Sequence, residues 1–132
     1  MNTQFTISDE IQNKIDGVRS KFPSNESKPA IIESLLILQH HNDGYVTQDI
    51  MRVLANYLSV SEIDVLEVAT FYTMYNLAPV GKHFIQVCTT TPCLIRGADK
   101  IVSLCKEKIS PKENEISTKG SCSWMEVECL GA

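Results

Sequence analysis

Up to residue 79 the apolar positions recur with a helical period. Ile11, Ile15, Val18 and Phe22 are spaced four, three and four apart, which lines one helix face, with Ser8 placed to cap its start and Pro23 to end it. Ile32, Leu35, Leu36 and Leu38 predict a second helix, opening near Pro29, a residue suited to a first turn, and stopping at Asn42-Asp43-Gly44. A third helix, capped by Thr47, is predicted to turn Ile50, Val53, Leu54, Tyr57 and Leu58 inward. Ser61 followed by Asp64 is a variant of the capping box and opens a fourth helix carrying Ile63, Leu66 and Val68, which runs into the aromatic segment Thr70 to Asn76. Short helices with brief connections predict a small orthogonal bundle over residues 1–79.

After Pro79 the period changes. His83 to Cys88 reads as a strand with Ile85 and Val87 on one face and Phe84 on the other. Arg96 to Ile109 reads as a helix with Ala98, Ile101, Val102, Cys105 and Ile109 inward, broken at Pro111 and followed by a polar loop from Glu113 to Gly120. Ser123 to Cys129 reads as a second strand, Met125, Val127 and Cys129 sharing its inner face. Trp124 then falls on the opposite face, to be covered by a partner or by a segment beyond the chain. Strand, helix and strand in that order predict a right-handed crossover between parallel strands. The fold class is α+β: a helical bundle over 1–79 and an incomplete second domain over 80–132. Two strands and one helix are too little to cover both faces of a sheet, and the chain stops directly after the last strand, so this half reads as truncated.

Composition narrows the function more than the fold. Apolar residues at 43% and charged residues at 21% are ordinary for a folded domain and exclude wholesale disorder. Twelve Lys and Arg against 16 Asp and Glu give a net charge of −4, which argues against nucleic acid and against an anionic membrane surface as partners. No apolar run approaches the roughly 18–20 residues of a spanning helix. Met1 to Phe5 lacks the positive stretch and apolar run of a signal peptide, which predicts a cytoplasmic chain, or one attached to something larger. Five cysteines in such a chain cannot all pair internally, and disulfides are uncommon in a reducing compartment.

Cysteine therefore carries the candidate chemistry. Cys88 ends the first strand and Cys93 follows after Thr89-Thr90-Thr91-Pro92, where Pro92 limits flexibility and the threonine hydroxyls are placed to donate to sulfur. Cys129 ends the second strand. Parallel strands joined by a crossover finish at one edge, so the three thiolates converge there, a donor set for a soft metal or an iron–sulfur cluster. Zinc sites more often use C-x2-C, and the C-x4-C spacing leans towards 2Fe-2S; the bland alternative is two core thiols. Cys105 lies mid-helix on the apolar face and reads as structural. Cys122, at about 3.3 Å per strand residue, starts roughly 20 Å from Cys129 and is a poor ligand. His40 and His41 close a helix, where a cation is favourable, and His83 reads as exposed. No Gly-rich nucleotide fingerprint follows the first strand, so no dinucleotide site is read in this half. Glu62, Asp64 and Glu67 form a solvated face without an acid–base arrangement, and no catalytic residue is assigned. Phe71, Tyr72 and Tyr75 are expected to pack between the two halves or against a partner.

Glu67-Val68-Ala69-Thr70-Phe71-Tyr72-Thr73-Met74-Tyr75-Asn76-Leu77, Pro79-Val80-Gly81-Lys82, Gln86-Val87-Cys88-Thr89-Thr90-Thr91-Pro92-Cys93, Arg96-Gly97 and the ending Val127-Glu128-Cys129-Leu130-Gly131-Ala132 resemble one family over nearly the whole chain. It is the 24-kDa-type 2Fe-2S subunit of respiratory complex I, the NADH:quinone oxidoreductase of bacteria and mitochondria. The Thr-Thr-Thr-Pro filling is similar to its mitochondrial and α-proteobacterial branch. The resemblance implies a thioredoxin-like ferredoxin domain after the bundle, holding one 2Fe-2S cluster on four cysteines, as C-x4-C and a later C-x3-C. Cys88, Cys93 and Cys129 match the first three places; the fourth falls one position beyond Ala132, and a water, a small thiol or a partner side chain would have to stand in.

The resemblance also implies outer-sphere electron transfer beside the flavin-bearing NADH-oxidising subunit, which binds FMN and NADH. The complex reduces a quinone and translocates protons, with this subunit peripheral on the inner side of the energy-coupling membrane, the matrix side in mitochondria. Equivalent subunits serve NAD-linked hydrogenases and formate dehydrogenases. Two readings from other classes are a cluster-free remnant or docking adaptor, and a zinc or thiol-redox protein; C-x4-C is not the C-x-x-C of dithiol chemistry.

Overall fold

The computed structural model describes residues 4–129 and 131. Met1, Asn2 and Thr3 of the amino-terminal reading, and Leu130 and Ala132 of the family-like ending, lie outside the described residues. The chain is α+β, as the sequence predicts, and forms two compact units, Met1–Ala78 and Pro79–Ala132.

The first unit contains α1 (Asp9–Arg19), α2 (Ala30–His41), α3 (Gln48–Leu58) and α4 (Glu62–Phe71). Three of the starts are capped by the residues whose chemistry predicts it. Ser8 accepts from the Ile11 N–H at 3.5 Å and Thr47 from the Ile50 N–H at 3.2 Å. Ser61 accepts from the Asp64 N–H at 3.2 Å while the Asp64 carboxylate accepts from the Ser61 N–H at 3.4 Å, a complete capping box. Ile11, Ile15 and Val18 of α1, Leu35 and Leu38 of α2, Ile50, Leu54 and Leu58 of α3, and Val65 and Ala69 of α4 build one core.

The inner faces of α2 and α4 differ from those predicted. Ile31 is buried in place of Ile32, and Leu36 is exposed. In α4, Val65 and Ala69 are buried, whereas Ile63 and Leu66 face outward, Ile63 at 67% exposure. In both helices apolar residues are spread around the axis among polar ones, so periodicity alone does not select a face. In α3, Met51 and Ala55 fill places expected for Val53 and Tyr57, which are half-buried.

The aromatic segment also divides. Tyr75 is buried and its hydroxyl donates to the Ile32 carbonyl at 2.6 Å, while Phe71 is 77% exposed and Tyr72 lies between these extremes. Asn76 fastens the segment: its N–H donates to Gln39 Oε1 at 2.7 Å, its side-chain amide to the Gly44 carbonyl at 2.9 Å, and its carbonyl accepts from the Val46 N–H at 2.7 Å.

The second unit contains β1 (His83–Cys88), α5 (Thr91–Ile95), α6 (Ala98–Lys108) and β2 (Cys122–Val127). The strands are parallel, in register from His83 opposite Cys122 to Cys88 opposite Val127. β2 thus starts one residue before and ends two residues before the predicted strand. The face covered by α6 is built from Val87, Trp124, Val102 and Cys105, with Ile109 packed against them. The sequence predicts Trp124 on the outer face; it is instead fully buried, and its Nε1–H donates to the Ser110 carbonyl at 2.9 Å. The register explains this. Side chains opposite one another in a parallel pair share a face, and Trp124 stands opposite Ile85, two positions before Val87. Met125 and Val127 point the other way and are half-buried. Ile101, expected inward, is 52% exposed.

Two features set the frame of the sheet. A Cβ on Gly81 would lie 2.5 Å from the Cys122 carbonyl carbon, so only glycine fits where the chain enters β1, and its N–H donates to Ser123 Oγ at 2.8 Å. Along the outer side of β2 the 113–117 loop supplies partners: Asn114 N–H to the Trp124 carbonyl at 2.8 Å, and Ser117 N–H to the Cys122 carbonyl at 2.7 Å. The Glu113 carboxylate accepts from the Glu126 N–H at 2.6 Å.

Candidate metal centre

Because β1 and β2 run parallel, both deliver their last residues to the same edge. Cys88 is the final residue of β1, half-buried, opposite Val127; the Thr89 N–H then donates to the Val127 carbonyl at 3.3 Å, continuing the ladder by one step. Cys129 follows two residues after β2 and is exposed. The remaining thiol comes from a helix where the sequence predicts only a loop. Thr90 is the N-cap and Pro92 stands in the first turn of α5, which carries Cys93 back towards the strand ends. Threonine before proline at a helix start is the signal that marks this short helix.

Cys93 is influenced by both of the other thiols. The Cys93 thiol is held above its usual 9.0, first by its hydrogen bond with Cys88, then by desolvation and by the charges of Cys88 and Cys129, while the Thr90 hydroxyl pulls the other way. Cys88 Sγ lies 3.0 Å from Thr90 Oγ1. Thiols that share a site resist ionising together, and a bound cation removes that repulsion as it displaces their protons.

Among the described residues no three His, Cys, Asp or Glu side chains are grouped so as to hold a single metal ion. A binuclear cluster asks for less convergence, since each iron takes its own pair of thiolates. Three sulfur donors reached from two strand ends and one helix fit such a group in chemistry, and they are soft donors suited to iron–sulfur rather than to a hard cation.

The other sequence candidates stand apart. Cys105 lies on the buried face of α6 with Val102, in one cluster with Val87 and Trp124, and burial raises its thiol. Cys122 is opposite His83, at the far end of the sheet from Cys88; five strand steps separate them, about 17 Å. His41 belongs to a surface group in the first unit, 3.4 Å from Lys14 Nζ and with its Nδ1 2.9 Å from the Ile37 carbonyl. His83 is exposed. No described helix is long and apolar enough to cross a membrane.

The model of the thioredoxin-like [2Fe-2S] ferredoxin family matches residues 15–132, and the chain belongs to that family. Among curated proteins it is 41% identical, over 130 residues, to the E-type subunit of NADH-quinone oxidoreductase from Rickettsia bellii (strain RML369-C), covering 98% of this chain and 78% of that one. It is 40% identical over 129 residues to an E-type subunit of NADH-quinone oxidoreductase from Rhizobium meliloti (strain 1021), covering 97% of this chain and 46% of the relative. A eukaryotic relative, NADH dehydrogenase [ubiquinone] flavoprotein 2, mitochondrial, of Dictyostelium discoideum, is 34% identical over 131 residues, covering 99% and 53%. The two bacterial relatives are named as subunits of an oxidoreductase complex.

Proposed function

We propose that this chain is the 2Fe-2S electron-transfer subunit of an NADH:quinone oxidoreductase, and that Cys88, Cys93 and Cys129 supply thiolates to its cluster. The observation that supports this most is that Cys88 and Cys129 follow the same ends of a parallel strand pair while the Cys93 thiol is influenced by both. When bound, a 2Fe-2S cluster supplies one-electron chemistry. The chain's part is to hold sulfur at two strand ends and a short helix, where a change of one charge calls for little rearrangement, and to donate hydrogen bonds to that sulfur. No acid or base of this chain takes part. The partner is the flavin-bearing NADH-oxidising subunit, and the chain sits peripherally on the inner side of the energy-coupling membrane. Residues 1–79 and 80–132 act as separate domains, the first docking and the second carrying electrons.

Anaerobic reconstitution with iron and sulfide tests this reading. The 132-residue chain is compared with a version carrying a cysteine and a family-like segment after Ala132. Two irons and two sulfides per chain, with a rhombic S = 1/2 signal after reduction, are expected, and Cys88→Ala or Cys93→Ala abolishes them. A signal in the short chain means that an external ligand completes the site; a signal in the extended chain alone makes the short chain a docking fragment. If neither holds iron, the electron-transfer reading is wrong.

A further inference from the structure

The place of Thr90 in the site is unusual for its position in the chain. It is the N-cap of α5: its carbonyl accepts the first helical hydrogen bond, from the Leu94 N–H at 2.9 Å. An N-cap threonine ordinarily turns its hydroxyl back to accept from a backbone N–H of the first turn. Ser8, Thr47 and Ser61 all do this in the first unit. Thr90 makes no side-chain cap bond, and its Oγ1 lies 3.0 Å from Cys88 Sγ instead. The half-buried hydroxyl has forgone a local helix contact for a sulfur.

In the metal-free chain either atom of that pair can be the donor. Once Cys88 is a metal-bound thiolate it has no proton, and only the threonine can donate. We propose that Thr90 is a positioning residue that donates its hydroxyl hydrogen to the Cys88 thiolate and thereby raises the reduction potential of the cluster. This rests on the cluster reading above. The physical basis is that a reduced cluster carries one more negative charge, spread over its sulfurs, so a donor to sulfur stabilises the reduced form more than the oxidised one. One electron is taken up and no proton moves.

The test is a redox titration of the reconstituted full chain, in buffer containing a small thiol as external ligand, followed by EPR. Wild type is compared with Thr90→Val, which keeps the shape and removes the hydroxyl, Thr90→Ser, which restores it, Thr90→Ala, and Thr91→Val as a neighbouring control. At a fixed poise, Thr90→Val and Thr90→Ala are expected to lower the reduced-to-oxidised ratio three- to tenfold, tenfold being about 59 mV for one electron. Thr90→Ser and Thr91→Val stay near wild type. Loaded Thr90→Val with an unchanged potential overturns the proposal while leaving the cluster reading intact. Failure of both Thr90→Val and Thr90→Ala to take up iron, with Thr90→Ser loaded, overturns it in favour of a role in assembly. If neither the 132-residue chain nor its extended version holds a cluster, both readings fall together.

Discussion

The two units bury their apolar residues very differently. In the first, four helices close over a core running from Ile11 to Tyr75, in which Ile15, Leu35, Leu38, Leu54, Leu58 and Val65 have no exposure at all. In the second, the core rests on Val87, Val102, Cys105 and Trp124, while Ile85, Leu94, Ile95, Ile101 and Leu104 stay exposed. A unit this small cannot bury enough surface to be secure by packing alone, and small folds are commonly completed by a metal or by further contacts. The first unit therefore has the fuller core, and the second the thinner one.

The largest expected effect that separates the units is at Trp124. Trp124→Ala removes the bulk of the second core and should cost about 3–5 kcal/mol. Hydrogen–deuterium exchange should show lost protection across 79–132 with the helices of the first unit unchanged; protection lost throughout would mean that the units share one cooperative core. Leu54→Ala, fully buried in α3, should cost about 2–5 kcal/mol, read as a lower urea midpoint of the first unit alone. Iron uptake by the second unit should survive it.

A smaller effect of opposite sign is expected at Ser34, which is fully buried in α2 with its hydroxyl unpartnered. Ser34→Ala should raise the first unit's stability by about 1 kcal/mol, measured by the same urea titration, because a desolvated donor is removed without breaking a bond.

The smallest effect near neutral pH is the alkaline one. Burial, with the charge of Tyr72, pushes Tyr75 up to about 12 from its ordinary 10.0. The folded chain then binds this proton more tightly than the unfolded chain, so the contribution is complete below pH 10 and declines as pH rises towards about 12. Tyr57, raised by its hydrogen bond to Asp16, adds the same sign. In the second unit the decline begins from the lower thiol value of 9.0, because burial raises Cys105. Circular dichroism and exchange along a pH series should find the second unit failing first, and Tyr75→Phe should flatten the loss in the first.

What could be read in the sequence tracks where local chemistry dominates. Ser8, Thr47 and Ser61 mark helix starts because a short polar side chain meets free N–H groups within its own turn, and all three do so. Cys88 and Cys129 could be assigned to one edge because parallel topology alone sends both strands there. The faces of α2, α4 and β2 were not legible. Ile32, Leu66 and Met125 are as apolar as the residues buried in place of others on their elements, and only tertiary packing distinguishes them. α5, at five residues, spans little more than one helical turn, too short for a repeat of apolar positions to show, so only its Thr-Pro start announced it.

The register of the two strands has a consequence for how the second unit comes together. A slip by one residue would turn Trp124 away from α6 and bring Ser123 and Met125 to that face in its place, and it would break the match between Gly81 and Ser123. The same slip would offset the end of β1 from the end of β2 by a full residue, drawing Cys88 and Cys129 out of step. One alignment of the two strands therefore both buries the indole and sets the Cys88 end of β1 beside the Val127 end of β2.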